Sequence, residues 1–306
     1  MRKLFQKIIS ISFFLFLLFL LLTKPELSLK YASKGLLIWY KNMVPSLFPM
    51  MILTSCMIKL NLTASFSKIL HPVVHKIFHT SENGTYAMFM GFLCGFPMGA
   101  KIICELYNQN KLSKEEAQSL LPICNNIGPV FMLTYGLLTF QTPHKYLSLI
   151  LFYCIPLCYA YLTNRKKFFR DNSRLPQQSL PFSQALDEAI SENAMSMLSL
   201  GGYLMFFNLL LMIPTELLPL NTVLASFIAC FTEITNGLSY PTALPNYFYL
   251  SFLQFGGICC LFQTLRYIQK TNLSFQKYLK HKIILTIVTF IFFFVLYVFF
   301  FYDGYV

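Results

Sequence analysis

The stretch "MGFLCGFPMGAK", residues 90–101, sets Gly91, Gly95, Pro97 and Gly99 in an apolar run and closes it with Lys101. Proline removes a helix hydrogen bond and crowds the preceding turn. Glycine admits backbone torsions closed to other residues. An apolar helix passing through here is predicted to break. The flanking chain is mostly Phe, Leu and Ile, so the break lies inside an apolar medium and not in a solvent loop.

Composition says what that medium is. Of 306 residues, 56% are hydrophobic and 12% are charged, against about 25% charged in soluble domains. Several runs reach the ~20 apolar residues that cross a bilayer. The clearest is "IILTIVTFIFFFVLYVFFFY", 283–302. The expected fold class is all-α, a polytopic membrane protein of about eight membrane segments, some discontinuous or re-entrant.

The net charge of +12 could suit nucleic acid, but Lys and Arg gather in short loops between apolar runs, which is the positive-inside pattern. The expected partner is the lipid bilayer, with no nucleic acid. Nine cysteines lie mostly in apolar stretches without a CxxC pair and read as small buried hydrophobes. His71, His75 and His79 recur at a helical spacing that zinc can use. They lack an acidic partner and read instead as one face of an interfacial helix with Lys68 and Lys76. No metal and no cofactor are expected. With no HExxH, GxSxG or paired acidic motif, an enzyme is not expected either.

The chain divides into four regions. Residues 1–33 hold a basic start, an apolar run and an external loop, read as an uncleaved signal anchor with a cytoplasmic N-terminus. Residues 34–162 form a first half, 163–182 a basic cytoplasmic loop, and 183–306 a second half with a C-terminal span. An even number of crossings must separate the two cytoplasmic points. Five candidates lie there: the anchor, 36–60, 86–104, 119–139 and 146–162. One of them should not cross, and the segments broken by glycine and proline are the suspects. Such segments survive at membrane depth only where buried or lining a cavity. Pro45 and Pro49 predict a bend within 36–60. The second half reads as an amphipathic stretch at 182–198, a span at 198–214, a run carrying Glu233, a run carrying Gly256 and Gly257, and a basic loop at 269–282. A weak repeat at an offset of 160 matches Phe92 with Phe252, Leu93 with Leu253 and Tyr107 with Tyr267. Broken segments at matching places in two halves point to a transporter binding site.

Lys101 is a costly intramembrane cation, so function is its default reading. A half-helix N-terminus beside it would add partial positive charge, and together they favour an anionic ligand. Glu105, four residues on, offers the alternative of simple neutralisation. Asn125 and Asn126 could bind a polar solute or bridge helices. Glu233, in "FTEITNG", could be a proton or sodium site, a counter-ion for Lys101, or a residue at the membrane edge.

The run "GFLCGFPMGAKIICELYNQNKLSKEEAQSLLPICNNIGPVF", 91–131, resembles the signature of the sporulation integral membrane proteins of the YlbJ type. "VPSLFPMMIL", "TEITNG" and "QFGGICCLFQ" fit the same pattern, which extends over about 34–282. The resemblance implies a nucleoside-recognition, or gate, fold similar to concentrative nucleoside transporters. It implies a role in endospore formation, in the cell membrane or the outer forespore membrane, with other spore-membrane proteins open as partners. It also implies a carrier for a small anion, dipicolinate. Carried over residue by residue, it assigns Gly95, Pro97, Gly99, Lys101, Asn125, Asn126, Gly128 and Gln263 to the substrate. Glu233 and Thr235 fall to a coupling ion or counter-charge. Pro129, Gly237, Gly256 and Gly257 fall to helix breaks. The alternatives are a nucleoside or other small-solute transporter and a non-transporting scaffold of spore assembly.

The charge pattern predicts that a cysteine placed at position 168 is labelled only from the cytoplasmic side; labelling from outside overturns the topology.

Overall fold

The computed structural model describes residues 2–133, 145–164, 169, 180–218, 220–238 and 244–301. Most of the basic loop expected at 163–182, and the C-terminal 302–306, lie outside the described residues. All secondary structure among the described residues is helical, and six stretches are long and apolar enough to cross a membrane. The chain is an all-α polytopic membrane protein.

Helix α1 (Arg2–Thr23) is apolar and mostly exposed. Helix α2 (Pro25–Ile38) follows without the external loop expected before residue 34. Pro25 stands in the first turn, where its missing N–H costs nothing, and Ser28, Tyr31 and Gly35 are buried. A π-helical turn, Trp39–Met43, joins α2 to α3 (Val44–Lys59), with Pro45 in the first turn and Pro49 inside. Short helices α4 (Thr63–Ser67) and α5 (His71–Phe78) come next. His71 Nδ1 lies 3.1 Å from Thr85 Oγ1 and His75 Nδ1 2.7 Å from the Thr80 carbonyl.

Helices α6 (Glu82–Cys94) and α7 (Met98–Asn108) flank the quoted break. Gly95 has φ +74°, a left-handed torsion that costs other residues a backbone clash. Here the chain turns back. A Cβ at Gly91 would sit 2.8 Å from the Cys124 side chain, and one at Gly99 would sit 2.2 Å from the Cys124 carbonyl. Eight residues of straight helix would hold those two positions about 12 Å apart. Helices α6 and α7 are therefore two arms of a hairpin, as the crossing count required of one segment. The hairpin closes on α8 (Lys114–Cys124), which itself stops at Asn125 and resumes as α9 (Pro129–Phe131).

Helix α10 (Lys145–Asn164) matches the span expected at 146–162. Helix α11 (Phe182–Met212) fuses the amphipathic stretch and the following span into 31 residues. Glycine gives close approach here: a Cβ at Gly201 would sit 2.9 Å from the Trp39 ring, and one at Gly35 of α2 would sit 2.8 Å from the Leu204 carbonyl. Helices α12 (Thr222–Thr232) and α13 (Ile234–Gly237) form a second reversal, with Gly237 packed on Cys230. Helices α14 (Asn246–Phe255) and α15 (Gly257–Ile268) run on as one broken 23-residue span. Helix α16 (Phe275–Phe301) ends the described chain.

Each half thus contributes one hairpin tip and one broken helix. The first tip packs on the first break, Gly95 against Gly128. The second packs on the second, with Gly257 against the carbonyls of Cys230, Phe231 and Thr232. The sequence match at offset 160 pairs a tip with a break. In space tip answers tip and break answers break.

Gly99→Val, which forces a branched side chain into the Cys124 carbonyl, should cost about 3 kcal/mol or more and abolish membrane accumulation. Gly202→Ala, where a Cβ meets nothing within 4 Å, should leave it unchanged. Immunoblots of membrane fractions distinguish the two.

Candidate solute site

The two tips and the ends of the two breaks enclose a cavity of about 190 Å³. Cys94 and Phe96 line it from the first tip, Ile127 and Gly128 from the first break. Glu233, Ile234 and Thr235 come from the second tip, and Cys260 and Gln263 from just past the second break. Met43, Leu47, Leu200 and Leu204 close it with apolar surface from α3 and its π turn and from α11. Such a site, mostly apolar with a few convergent polar groups, is the usual form of a small-molecule pocket.

The second tip is built around Glu233. It caps α13, accepting from the Thr235 N–H at 3.1 Å, the Asn236 N–H at 2.8 Å and the Thr235 hydroxyl. Asn236 in turn donates to Asn208 Oδ1 at 3.0 Å and accepts from Lys34. Among the described residues, the one carboxylate lining the cavity is therefore fixed by three donors, with a lysine on the far side of Asn236.

The first break is built around Asn125 and Asn126, both buried. Asn125 Nδ2 donates to Thr264 Oγ1 at 2.8 Å and to the Tyr278 hydroxyl at 3.0 Å. Its Oδ1 accepts from the Ala100 N–H, near the start of α7, at 3.3 Å. Asn126 Oδ1 accepts from Gln254 Nε2 at 2.8 Å and Lys282 Nζ at 2.6 Å. Lys282 also donates to the Asn125 carbonyl at 2.8 Å, and its ammonium stands 4.6 Å from the centre of the Phe96 ring. Lys282 is fully buried and has no carboxylate partner among the described residues.

Of the residues singled out in the sequence, Gly128, Gln263, Glu233 and Thr235 line the cavity together. Gly95 and Pro97 shape the tip that presents Phe96. Asn125 and Asn126 stand one layer behind, joining helices, and Gly99 packs on α8. Pro129 opens α9, Gly237 closes the second tip, and Gly256 and Gly257 make the second break. Lys101 lies apart. It is buried, donates to Ser55 Oγ at 2.8 Å, pairs with Glu105, and borders a different cleft. The start of α7 is likewise occupied by Asn125 and not open to a ligand.

Lys282 escaped the sequence reading because it closes "QKYLKHK", which looks like a basic loop. The loop ends at Ser274, and α16 carries Lys282 two turns into the interior. The signal was its place on a helix face with Tyr278. Lys34, the first residue of the expected first half, stands just before the apolar run at 36–60 and drew no notice.

Comparison with known proteins bears on this geometry. Residues 40–167, which contain the first tip and the first break, match the Gate family model, described as nucleoside recognition. These residues are similar to the Gate family. A stretch of 121 residues is 32% identical to "Sporulation integral membrane protein YlbJ" of Bacillus subtilis (strain 168). It covers 40% of this chain and 30% of that protein, so the match spans about three tenths of that relative's length. The YlbJ-type resemblance rests on both. No solved structure matches the chain. The Gate segment supplies half the cavity wall; the second tip and Lys282 lie beyond it.

Removing either partner of the Lys282–Asn126 contact leaves buried polar atoms unpaired, at about 1–3 kcal/mol each. Asn126→Ala and Lys282→Met should each lower the melting temperature of the purified chain in detergent. The double variant should cost less than the sum of the two. Additive losses would mean that this contact does not hold the break.

Proposed function

We propose that this chain is a secondary carrier for a small planar anion in spore formation, with dipicolinate the best single fit. The observation that carries the reading is Lys282. A buried cation without a carboxylate partner is expensive. Its ammonium stands 4.6 Å from the centre of the Phe96 ring, which lines the cavity. An anion in the cavity compensates the charge, and the apolar walls hold a flat ring. Thr235 and Gln263 offer hydrogen bonds to carboxylate edges without adding charge.

Glu233 sets the terms of entry. A second negative charge beside it is opposed unless one of the two carries a proton. Protonated, Glu233 turns from an acceptor into a donor for the solute. Anion and proton then occupy the site together, and solute movement is coupled to proton movement. The relative's printed name, a sporulation integral membrane protein, supports the setting. The Gate description, nucleoside recognition, supports a second reading, a neutral nucleoside held by Gln263 and Thr235 against the same apolar wall.

Purified full chain in lipid vesicles should take up dipicolinate, faster when the outside is acidic. Glu233→Gln should lose the response to the pH gradient while keeping downhill uptake. Uptake of uridine and not dipicolinate replaces the anion with the nucleoside. Uptake of neither, from correctly folded protein, leaves the scaffold reading.

A further inference from the structure

A second cleft, of about 330 Å³, opens between α7, α11 and α15 and has no part in the cavity above. Three elements line both spaces, and in each the order is the same. The first hairpin gives Phe96 to the cavity and Lys101 to the cleft. Helix α11 gives Leu200 to the cavity and Ser196 to the cleft. Helix α15 gives Gln263 to the cavity and Tyr267 to the cleft. Four residues of helix span about 6 Å, so the cleft sits one turn beyond the cavity on the same track. Tyr267 and Ser196 both line the cleft, one turn from Gln263 and Leu200 of the cavity.

The charges of the cleft are not balanced. Its two carboxylates are engaged: Glu105 pairs with Lys101, and Glu192 with Lys59 at 2.9 Å. Arg266, in the last turn of α15, and Lys270, two residues past its end, form no ion pair among the described residues. Lys101, through Glu105, completes a polar rim around them.

We propose that this cleft is a vestibule subsite that captures a small carboxylated anion on Arg266 and Lys270 before it passes Tyr267 and Ser196 to the cavity. The direction of traffic rests on the carrier reading; the binding chemistry does not. It differs from the cavity in being wet, polar and salt-screened.

The test uses the full chain and dipicolinate as probe, with Arg266→Gln/Lys270→Gln and, as a stronger change, Arg266→Glu. Both positions are at least partly exposed, so folding is retained. In vesicles the half-saturating concentration should rise about tenfold, as for loss of one charge-assisted contact, with maximal rate within about twofold. Calorimetry on purified protein should show a salt-sensitive component of dipicolinate binding that the double variant lacks. An unchanged half-saturation and unchanged binding overturn the vestibule while the carrier stands. If wild-type vesicles take up nothing, the carrier reading falls and binding alone decides. Salt-sensitive binding lost in the variant then sustains the cleft; equal or absent binding removes it.

Discussion

A helix that stops inside an apolar interior leaves amide and carbonyl groups that lipid cannot satisfy. This chain stops helices there at Gly95, Asn125, Glu233 and Gly256, and the rest of the structure is arranged around making good those ends. The Asn125 carbonyl is taken by Lys282, the start of α7 by the Asn125 side chain, and the start of α13 by Glu233. The first break is repaired from another part of the chain, by Lys282, and the second tip by its own N-cap, Glu233. The broken segments therefore cannot assemble one at a time: the first break needs α16, which arrives about 150 residues later.

The same constraint explains what the sequence disclosed. Glycine and proline at Gly95, Pro97, Gly128, Pro129 and Gly256 mark where helices end, because that chemistry is local. They placed the hairpin and its partner break, and the parity of crossings demanded the turn. The repairs are not local. Lys282 reads as loop charge until α16 is known to begin at Phe275. Lys34 draws no notice until Pro25 is seen to open the helix that carries it. The second tip was overlooked because its reversal needs only four helical residues capped by Glu233, inside a run otherwise apolar enough to pass as a span.

Lys101 shows why an intramembrane cation is not by itself a ligand site. It drew attention as the charge closing the broken segment. With Glu105 one turn on and Ser55 beside it, its charge is answered locally. Lys282 has carbonyl and amide oxygens and an aromatic face, which lower its cost without cancelling its charge. The difference between a neutralised and a merely solvated cation separates a structural lysine from one whose field reaches the cavity.

That field and Glu233 act on the cavity from opposite sides. The cation sits behind the first break, which the Gate segment contains, although Lys282 itself comes from α16 beyond it. The carboxylate sits on the second tip, beyond that segment. Were both on one wall they would form an ion pair and the cavity would carry no net demand. Held apart by Phe96 and about 190 Å³ of apolar space, neither can reach the other, and burial keeps solvent from screening them. The two-tip, two-break architecture holds this separation in place, since bringing Lys282 and Glu233 together would require undoing the repairs at Asn125 and at α13.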